Sequence, residues 1–116
     1  MNSTAQPDIF VDAYLGFSQR LPLSDTLKQA MEEASNYRCS KMSLDLPTGF
    51  NKDRGDASFK PDTILTLAAM KTELIPLLDN TNILIADLGL PVEVYKKFDL
   101  EQLTEFKDSG IVRMVR

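Results

Sequence analysis

The sequence predicts an α/β domain in which a twisted, mixed or parallel sheet is combined with helices. Short apolar runs alternate with segments of helical periodicity, in the order β-α-β-β-α-β-α-β, which is typical of this class. Three of the apolar runs end in an aspartate that is followed by a glycine-containing loop. The length of 116 residues fits one domain with a modest core. We therefore predict one α/β domain over residues 8–116, preceded by a flexible polar tail at residues 1–7.

The first half of the chain has clear start and stop signals. An apolar run at residues 9–11 predicts a strand that ends at Asp12. Ser24 is expected to cap a helix over residues 25–36, in which Asp25 places negative charge in the first turn. The next strand is predicted at residues 39–46. Its end follows from Pro47, which has no amide hydrogen for a sheet ladder.

The second half repeats the same signals. Its predicted elements are a buried strand at 63–69, a short helix at 71–78, a strand at 82–86, a helix at 91–98, a helical segment at 100–106 and a terminal edge strand at 111–115. Pro76 is expected to limit the length of the short helix.

Composition excludes several classes of function. The net charge of −4 argues against broad electrostatic binding to nucleic acid or to an anionic membrane. The absence of histidine excludes a Ser-His-Asp triad, a Cys-His dyad and every histidine-based metal site. Cys39 is the only cysteine, so an internal disulfide is impossible. No apolar run approaches the ~20 residues of a membrane span, and residues 1–8 do not resemble a secretory signal. We therefore expect a soluble, cytoplasmic protein whose acid/base chemistry would use carboxylates, lysine or tyrosine.

The aspartates at the strand ends are the candidate functional residues. They occur in three pairs with a following glycine: Asp12 with Gly16, Asp45 with Gly49, and Asp87 with Gly89. If the first two strands are parallel neighbours, Asp12 and Asp45 lie together at the carboxyl edge, where open α/β sheets bind ligands. Two such carboxylates can share a hard cation, or one of them can serve as a general acid/base. The alternative is three independent caps of ordinary turns. Spacing alone leaves both interpretations open.

Three motifs in sequence order carry a resemblance to a known family. They are V-D-A-Y-L-G-F-S at residues 11–18, S-L-D-L-P-T-G-F-N-K-D-R-G at 43–55 and K-P-D-T-I-L-T-L-A-A at 60–69. The segment I-A-D-L-G-L-P-V-E-V-Y-K-K-F at 85–98 resembles a family ending. Over about residues 8–98 the chain resembles the C-terminal half of the YjeF N-terminal domain family, whose main members are the NAD(P)H-hydrate epimerases, also called apolipoprotein A-I-binding protein.

The resemblance implies a Rossmann-like, three-layer α/β/α sandwich. It also implies an isomerase that interconverts the R and S epimers of hydrated NADH and NADPH in nicotinamide nucleotide repair. By position in the motifs, Asp45 is implied to be the catalytic acid/base and to contact the substrate, while Asp12 and Thr48 are implied to hold a potassium ion. Further substrate contacts are implied for the loop formed by Gly16, Phe17, Ser18, Gln19, Arg20, Leu21 and Pro22. In this family a mitochondrial location is also possible.

Two departures from the family bear on activity. The glycine-rich loop of the family's N-terminal half, which binds phosphate and supplies an asparagine to the potassium site, has no counterpart here, and neither GxGxxG nor GxxxxGK[ST] occurs. Met70 also replaces the proline of the family's A-P-K segment. The chain is then a half-domain completed by another chain, a truncated product or a degenerate paralogue, and homodimerisation through an exposed sheet edge is expected. The alternative function is a non-catalytic interaction or dimerisation module, as in the enhancer-of-decapping members of the family.

Overall fold

Five strands form one sheet in the computed structural model, which describes residues 6–16, 19–100, 103–107 and 109–115. The sheet has the order β1-β2-β3-β4-β5, with β1 at Ile9–Asp12, β2 at Ser40–Leu44, β3 at Thr63–Leu67, β4 at Asn82–Ala86 and β5 at Ile111–Met114. The first four strands run parallel, and β5 pairs antiparallel with β4. This arrangement confirms the predicted Rossmann-like α/β class and the terminal edge strand. Residues 1–5 of the predicted tail lie outside the described residues.

Three of the predicted helices begin and end close to their predicted positions, whereas the segment predicted at 100–106 is helical only from Thr104, and its residues 101 and 102 lie outside the described residues. Helix α1 spans Asp25–Ser35, and the Ser24 hydroxyl accepts a hydrogen bond from the amide of Leu27 at 3.3 Å. The segment predicted as a short helix at 71–78 is a 3₁₀ helix at Thr72–Leu77, because Pro76 within it has no amide hydrogen for an α-helical bond. Helix α2 spans Val92–Lys97, and a second 3₁₀ helix spans Thr104–Lys107. None of the helices in the described ranges is long and apolar enough to cross a membrane.

The two faces of the sheet differ in burial. Alternation along each strand and the register between strands assign side chains to an inner and an outer face. The inner face comprises Phe10, Asp12, Lys41, Ser43, Ile64, Thr66, Ile83, Ile85, Val112 and Met114. The apolar residues of the outer face are Ile9, Val11, Met42, Leu44, Leu65, Leu67, Leu84, Ala86 and Ile111, and its polar residues are Ser40, Thr63, Asn82 and Arg113. Six of the inner-face residues are buried, whereas no outer-face residue is.

The core lies against the inner face. One cluster joins the sheet to the segment after β2 and to the first 3₁₀ helix, through Leu46, Phe50, Ala57, Ile64, Leu74 and Ile83. A second cluster joins α1 to the sheet, with Met31, Ala34 and Phe59 packed against Phe10, Leu27 and Tyr37. The rings of Phe10 and Phe59 meet edge-to-face with centroids 5.7 Å apart. Residues from α1, the 3₁₀ helix and the long β2–β3 connection therefore cover one face of the sheet.

The prediction of a fully buried strand at 63–69 is wrong for the outer face. Ile64 and Thr66 on the inner face are 0% exposed, but Leu67 is 45% exposed. The reason is topological, because the chain steps from β1 to β4 in one direction and right-handed crossovers then place their connections on the same face. The described residues thus supply the sheet and the inner layer of the three layers that the resemblance implies.

Candidate active site at the carboxyl ends of β1 and β2

Asp12, the last residue of β1, is buried and saturated with hydrogen bonds. Its side chain is enclosed, with 1% of the residue exposed. The Oδ2 atom accepts from the Ser43 hydroxyl at 2.9 Å and from the Thr48 amide at 2.8 Å, while Oδ1 accepts from the Thr48 hydroxyl at 2.6 Å. Three donors compensate for the removal of this carboxylate from water. Asp12 therefore fixes the turn that follows β2 to the end of β1.

Asp45, the first residue after β2, has a different setting. Its backbone lies in the left-handed region, with φ at 70°, where non-glycine residues are uncommon and often functional. Its amide donates to the Leu65 carbonyl at 2.8 Å, which ties the residue to β3. The side chain is 25% exposed and pairs with Lys71, whose Nζ lies 2.7 Å from Asp45 Oδ1. Asp45 is thus a partly accessible carboxylate held by a cation.

Lys71 and Thr66 are site residues that sequence reasoning missed. Lys71 Nζ donates to Thr66 Oγ1 at 2.7 Å, and Thr66 Oγ1 lies 3.5 Å from Asp45 Oδ1. Thr66 is on the inner face of β3 and Lys71 precedes the 3₁₀ helix, so the strand end brings both side chains to Asp45. Lys71 stands where the family's A-P-K segment has its lysine, and this match was the available signal for a role of Lys71. In that segment only the replacement of the proline by Met70 was interpreted.

The loop after β1 approaches Asp45 closely at Gly16. A Cβ atom at Gly16 would lie 3.3 Å from Asp45 Oδ2, which is tighter than ordinary van der Waals contact. Gly16 therefore lets the loop backbone approach the Asp45 carboxylate without a side chain between them.

Gln19 joins this loop to the turn after β2. Its amide nitrogen donates to the carbonyls of Gly16 at 2.9 Å and Pro47 at 3.0 Å. Its amide oxygen accepts from the amide of Gly49 at 2.6 Å. The Gln19 side chain is thus a clamp between two loops that are distant in sequence.

The other residues of the predicted substrate loop either follow Gln19 in the chain or lie outside the described residues. Phe17 and Ser18 belong to the latter group. Arg20 is exposed. Leu21 and Pro22 line a cavity of about 900 Å³ beside α1, together with Thr48 and Gly49. Gly16 approaches Asp45 directly, whereas Leu21 and Pro22 line a cavity that does not include Asp45 among its lining residues.

The third aspartate of the pattern has an ordinary local role. Asp87 Oδ1 accepts a hydrogen bond from the amide of Gly89 at 2.9 Å, two residues along the chain. This contact is that of a turn cap, the alternative that spacing alone left open. The same sequence pattern therefore marks two residues of a shared site and one local turn.

The residues around Asp12 fit part of a site for potassium. Among the described residues no group of three or more His, Cys, Asp or Glu side chains is arranged to hold a metal ion. Asp12 and Thr48 nevertheless bring a carboxylate and a hydroxyl together in a buried position, and hard oxygen ligands suit such a cation. The Thr48 hydroxyl donates its hydrogen to Asp12 and keeps its lone pairs. These two side chains could supply some of the ligands, and further oxygens would have to come from elsewhere.

Comparison with known proteins decides the family. The model of the family described as YjeF-related protein N-terminus matches residues 1–73, a range that contains all the site residues from Asp12 to Lys71. The chain belongs to this family. It is similar to a protein named NAD(P)H-hydrate epimerase from Rhodopirellula baltica, with 30% identity over 99 residues, 80% of this chain and 41% of that protein. A protein of the same name from Dehalogenimonas lykanthroporepellens is 33% identical over 101 residues, 84% of this chain and 41% of that protein.

A solved structure supports the fold of this YjeF-related chain. The crystal structure of yeast ynu0 matches it with a TM-score of 0.77 at 24% identity, over 92% of this chain and 46% of that chain. The YjeF-related chain spans about two fifths of the length of the curated relatives that it matches.

Proposed function

We propose that this YjeF-related chain supplies the acid/base part of an NAD(P)H-hydrate epimerase site, with Asp45 as the residue that moves the proton. The observation that carries the proposal is the Asp45 carboxylate at the carboxyl end of β2, partly exposed and paired with Lys71 at 2.7 Å. In open α/β sheets this is the edge at which ligands bind. The substrate class, hydrated NADH or NADPH, follows from the name that the relatives carry.

Epimerisation requires a base that gives its proton back. Asp45 takes the proton of the hydroxyl group on the hydrated ring carbon as that oxygen becomes a carbonyl and the bond from its carbon to the ring nitrogen breaks, with the electron pair of the bond going to nitrogen. When nitrogen attacks the other face of the carbonyl carbon, the bond re-forms and Asp45 returns the proton to the oxygen, so that no atom is gained or lost. A positioned carboxylate can perform both transfers. Lys71 and Thr66 both approach Oδ1 of Asp45 and so orient the carboxylate, and the Lys71 ammonium stabilises its negative charge.

Asp12 and Thr48 would hold the potassium ion in this proposal. When bound, the ion supplies positive charge near the turn that carries Asp45 and Thr48. Asp12 already fixes that turn by its bonds to the amide and hydroxyl of Thr48. Its own task in the reaction is therefore to keep the turn, and with it Asp45, in place.

The direct test is interconversion of the two epimers of hydrated NADPH by the purified chain, followed by chromatographic separation. Asp45→Ala should reduce the rate by roughly 10²–10⁴-fold, the usual contribution of a general acid/base. The matched control is Asp87→Ala, because Asp87 follows a strand in the same pattern but only caps a turn. Equal rates for wild type and Asp45→Ala would remove Asp45 from the reaction. Absence of activity in all three proteins would contradict catalysis by the chain alone.

The second candidate function is a non-catalytic interaction module. The observation that favours it is the exposed apolar outer face of the sheet, on which Ile9, Val11 and Leu67 are 45–54% exposed. A module of this kind would bind its partner equally well with Asp45 intact or replaced by alanine. Comparison of partner binding and epimerisation in the same pair of proteins therefore separates the two functions.

A further inference from the structure

The outer face of the sheet is an apolar surface without a covering layer among the described residues. Its most exposed large apolar residues are Ile9 at 54%, Val11 at 45%, Leu44 at 36%, Leu67 at 45% and Ile111 at 51%. Parallel sheets are normally covered on both faces, because their crossover connections supply helices. Contiguous apolar surface of this kind marks a binding surface.

The same side of the molecule has an open sheet edge. Strand β1 pairs with β2 on one side and is the terminal strand of the sheet among the described residues. Its other edge presents backbone amide and carbonyl groups that a further strand can pair with. Ile9 and Val11 lie both on this strand and on the outer face, so edge and face form one continuous surface.

The handedness of the connections indicates which kind of segment fits this surface. From β1 to β4 the chain steps in one direction, and its connections lie on the inner face. In a doubly wound sheet the other half is wound outwards from the same central strand in the opposite direction. Right-handed crossovers then place the helices of that half on the opposite face. One β-α segment beside β1 would therefore continue the sheet and cover the outer face next to it.

We propose that β1 and the adjoining outer face, with Ile9, Val11 and Leu44 at the centre, bind a β-α polypeptide segment equivalent to the part of the relatives that this chain does not match. The relatives have further polypeptide from which such a segment can come, because only 41% of the Rhodopirellula protein and 46% of the yeast structure are matched. The remainder of each is longer than the matched part.

A second copy of this chain fits the surface less well. A two-fold axis perpendicular to the sheet plane would pair β1 of one copy antiparallel with β1 of the other copy. Both outer faces would then lie on the same side of the extended sheet, and both would stay exposed. The complementing segment instead satisfies the edge and the face together.

The docking would also complete the crevice beside Asp12 and Asp45. Ligands of doubly wound sheets bind where the two halves diverge, outside the carboxyl ends of the strands. In this sheet that point is the end of β1, at Asp12. Docking at this surface depends on the fold and the exposed residues, and it does not require the proposed epimerase activity.

The test uses the 116-residue chain and, as the probe, the unmatched part of the Rhodopirellula baltica relative produced as a separate polypeptide. Light scattering should show a one-to-one complex. In a Cys39→Ser background, Val11→Cys should react with a thiol reagent at least about tenfold more slowly in that complex, since a tenfold protection corresponds to ~1.4 kcal/mol. Leu88→Cys is the matched control, because Leu88 is 52% exposed and lies outside the surface. Its labelling should not change.

A charge on the surface tests the contact in a second way. Val11→Glu should weaken the complex at least about tenfold, as expected for a central contact, while Leu88→Glu should not. Because Val11 is already 45% exposed, the thermal unfolding midpoint of Val11→Glu should remain near that of the wild type. The relative's own matched part is the positive control for the probe. Binding of the probe to that control but not to this chain would overturn the proposal, as would a homodimer in which Val11→Cys is protected without the probe.

Discussion

Asp12 is the last residue of β1, and Asp45 directly follows the adjacent parallel strand β2. Both belong to the same sequence pattern, yet their surroundings are opposite. Asp12 is buried and accepts three hydrogen bonds from the neutral donors of Ser43 and Thr48. Asp45 is partly exposed, has a left-handed backbone and pairs with the ammonium of Lys71. The strand end places both carboxylates at the sheet edge. The partners contributed by other segments determine that one carboxylate is enclosed and the other stays partly accessible to solvent.

The largest expected effect is a difference between Asp12 and Asp45 in how much each side chain contributes to the stability of the protein. Asp12→Ala should lower the free energy of unfolding by roughly 3 kcal/mol or more, because it leaves buried donors of Ser43 and Thr48 without an acceptor, at about 1–3 kcal/mol each. Asp45→Ala should lower it by only about 1 kcal/mol, since a partly exposed ion pair contributes little. Urea unfolding of both variants measures the difference. Equal destabilisation would mean that Asp45 is as structural as Asp12.

The next effect concerns the cation that distinguishes Asp45. Lys71→Met keeps the length of the side chain but removes the ammonium that holds Asp45 and Thr66. We expect the rate of epimerisation to fall by about 10²-fold through misorientation of the carboxylate, with a smaller change in unfolding. Lys71→Arg retains the charge and should restore part of the rate. A Lys71→Met protein as active as the wild type would show that the pairing has no part in the reaction.

A smaller effect is expected at the clamp between the two loops. Gln19→Ala removes the contacts to Gly16, Pro47 and Gly49 and should lower the free energy of unfolding by roughly 1–2 kcal/mol. Gln19→Glu keeps the acceptor for Gly49 but loses the donor. Its free energy of unfolding, measured with urea, should lie between the values of Gln19→Ala and the wild type. A value below that of Gln19→Ala would contradict the assigned direction of the hydrogen bonds.

The smallest expected effect tests the close approach of the loop to Asp45. Gly16→Ala would place a methyl group 3.3 Å from Asp45 Oδ2 and push the carboxylate or the loop by a few tenths of an ångström. We expect several-fold slower epimerisation and a stability change within about 1 kcal/mol. Gly110→Ala is the matched control, because a Cβ there meets nothing within 4 Å. An unchanged rate for Gly16→Ala would mean that Asp45 does not need this space.

Much of the fold could be predicted from local sequence signals. The caps and periodicity of residues 24–36 gave α1, and the apolar runs gave the strands and the edge position of β5. The prediction that Asp12 and Asp45 lie at the same edge of the sheet depended on the parallel pairing of β1 with β2, which the structure has. The boundaries of the helix and the strands depend on a few adjacent residues, so a single segment carries the information about each of them.

The rest could not be predicted because it depends on contacts between distant segments. Gln19 bonds to Gly49, 30 residues along the chain, and no local pattern indicates that partner. Lys71 reaches Asp45 only because β3 lies beside β2 in the observed register. The exposure of Leu67 likewise depends on which face the connections occupy. Residue type also gave no sign of the left-handed backbone at Asp45, since glycine would be the usual choice there.

The position of Asp12 on an edge strand links the order of the site to the fraying of that edge. Edge strands open by local unfolding more readily than central ones. If β1 separates, the Thr48 turn loses its bonds to Asp12 at the same time. A segment that binds β1 would then stabilise the closed form by mass action, and we expect slower hydrogen exchange at the Thr48 amide as its concentration rises. Binding at the edge of β1 and ordering of the Thr48 turn would then be governed by the same equilibrium.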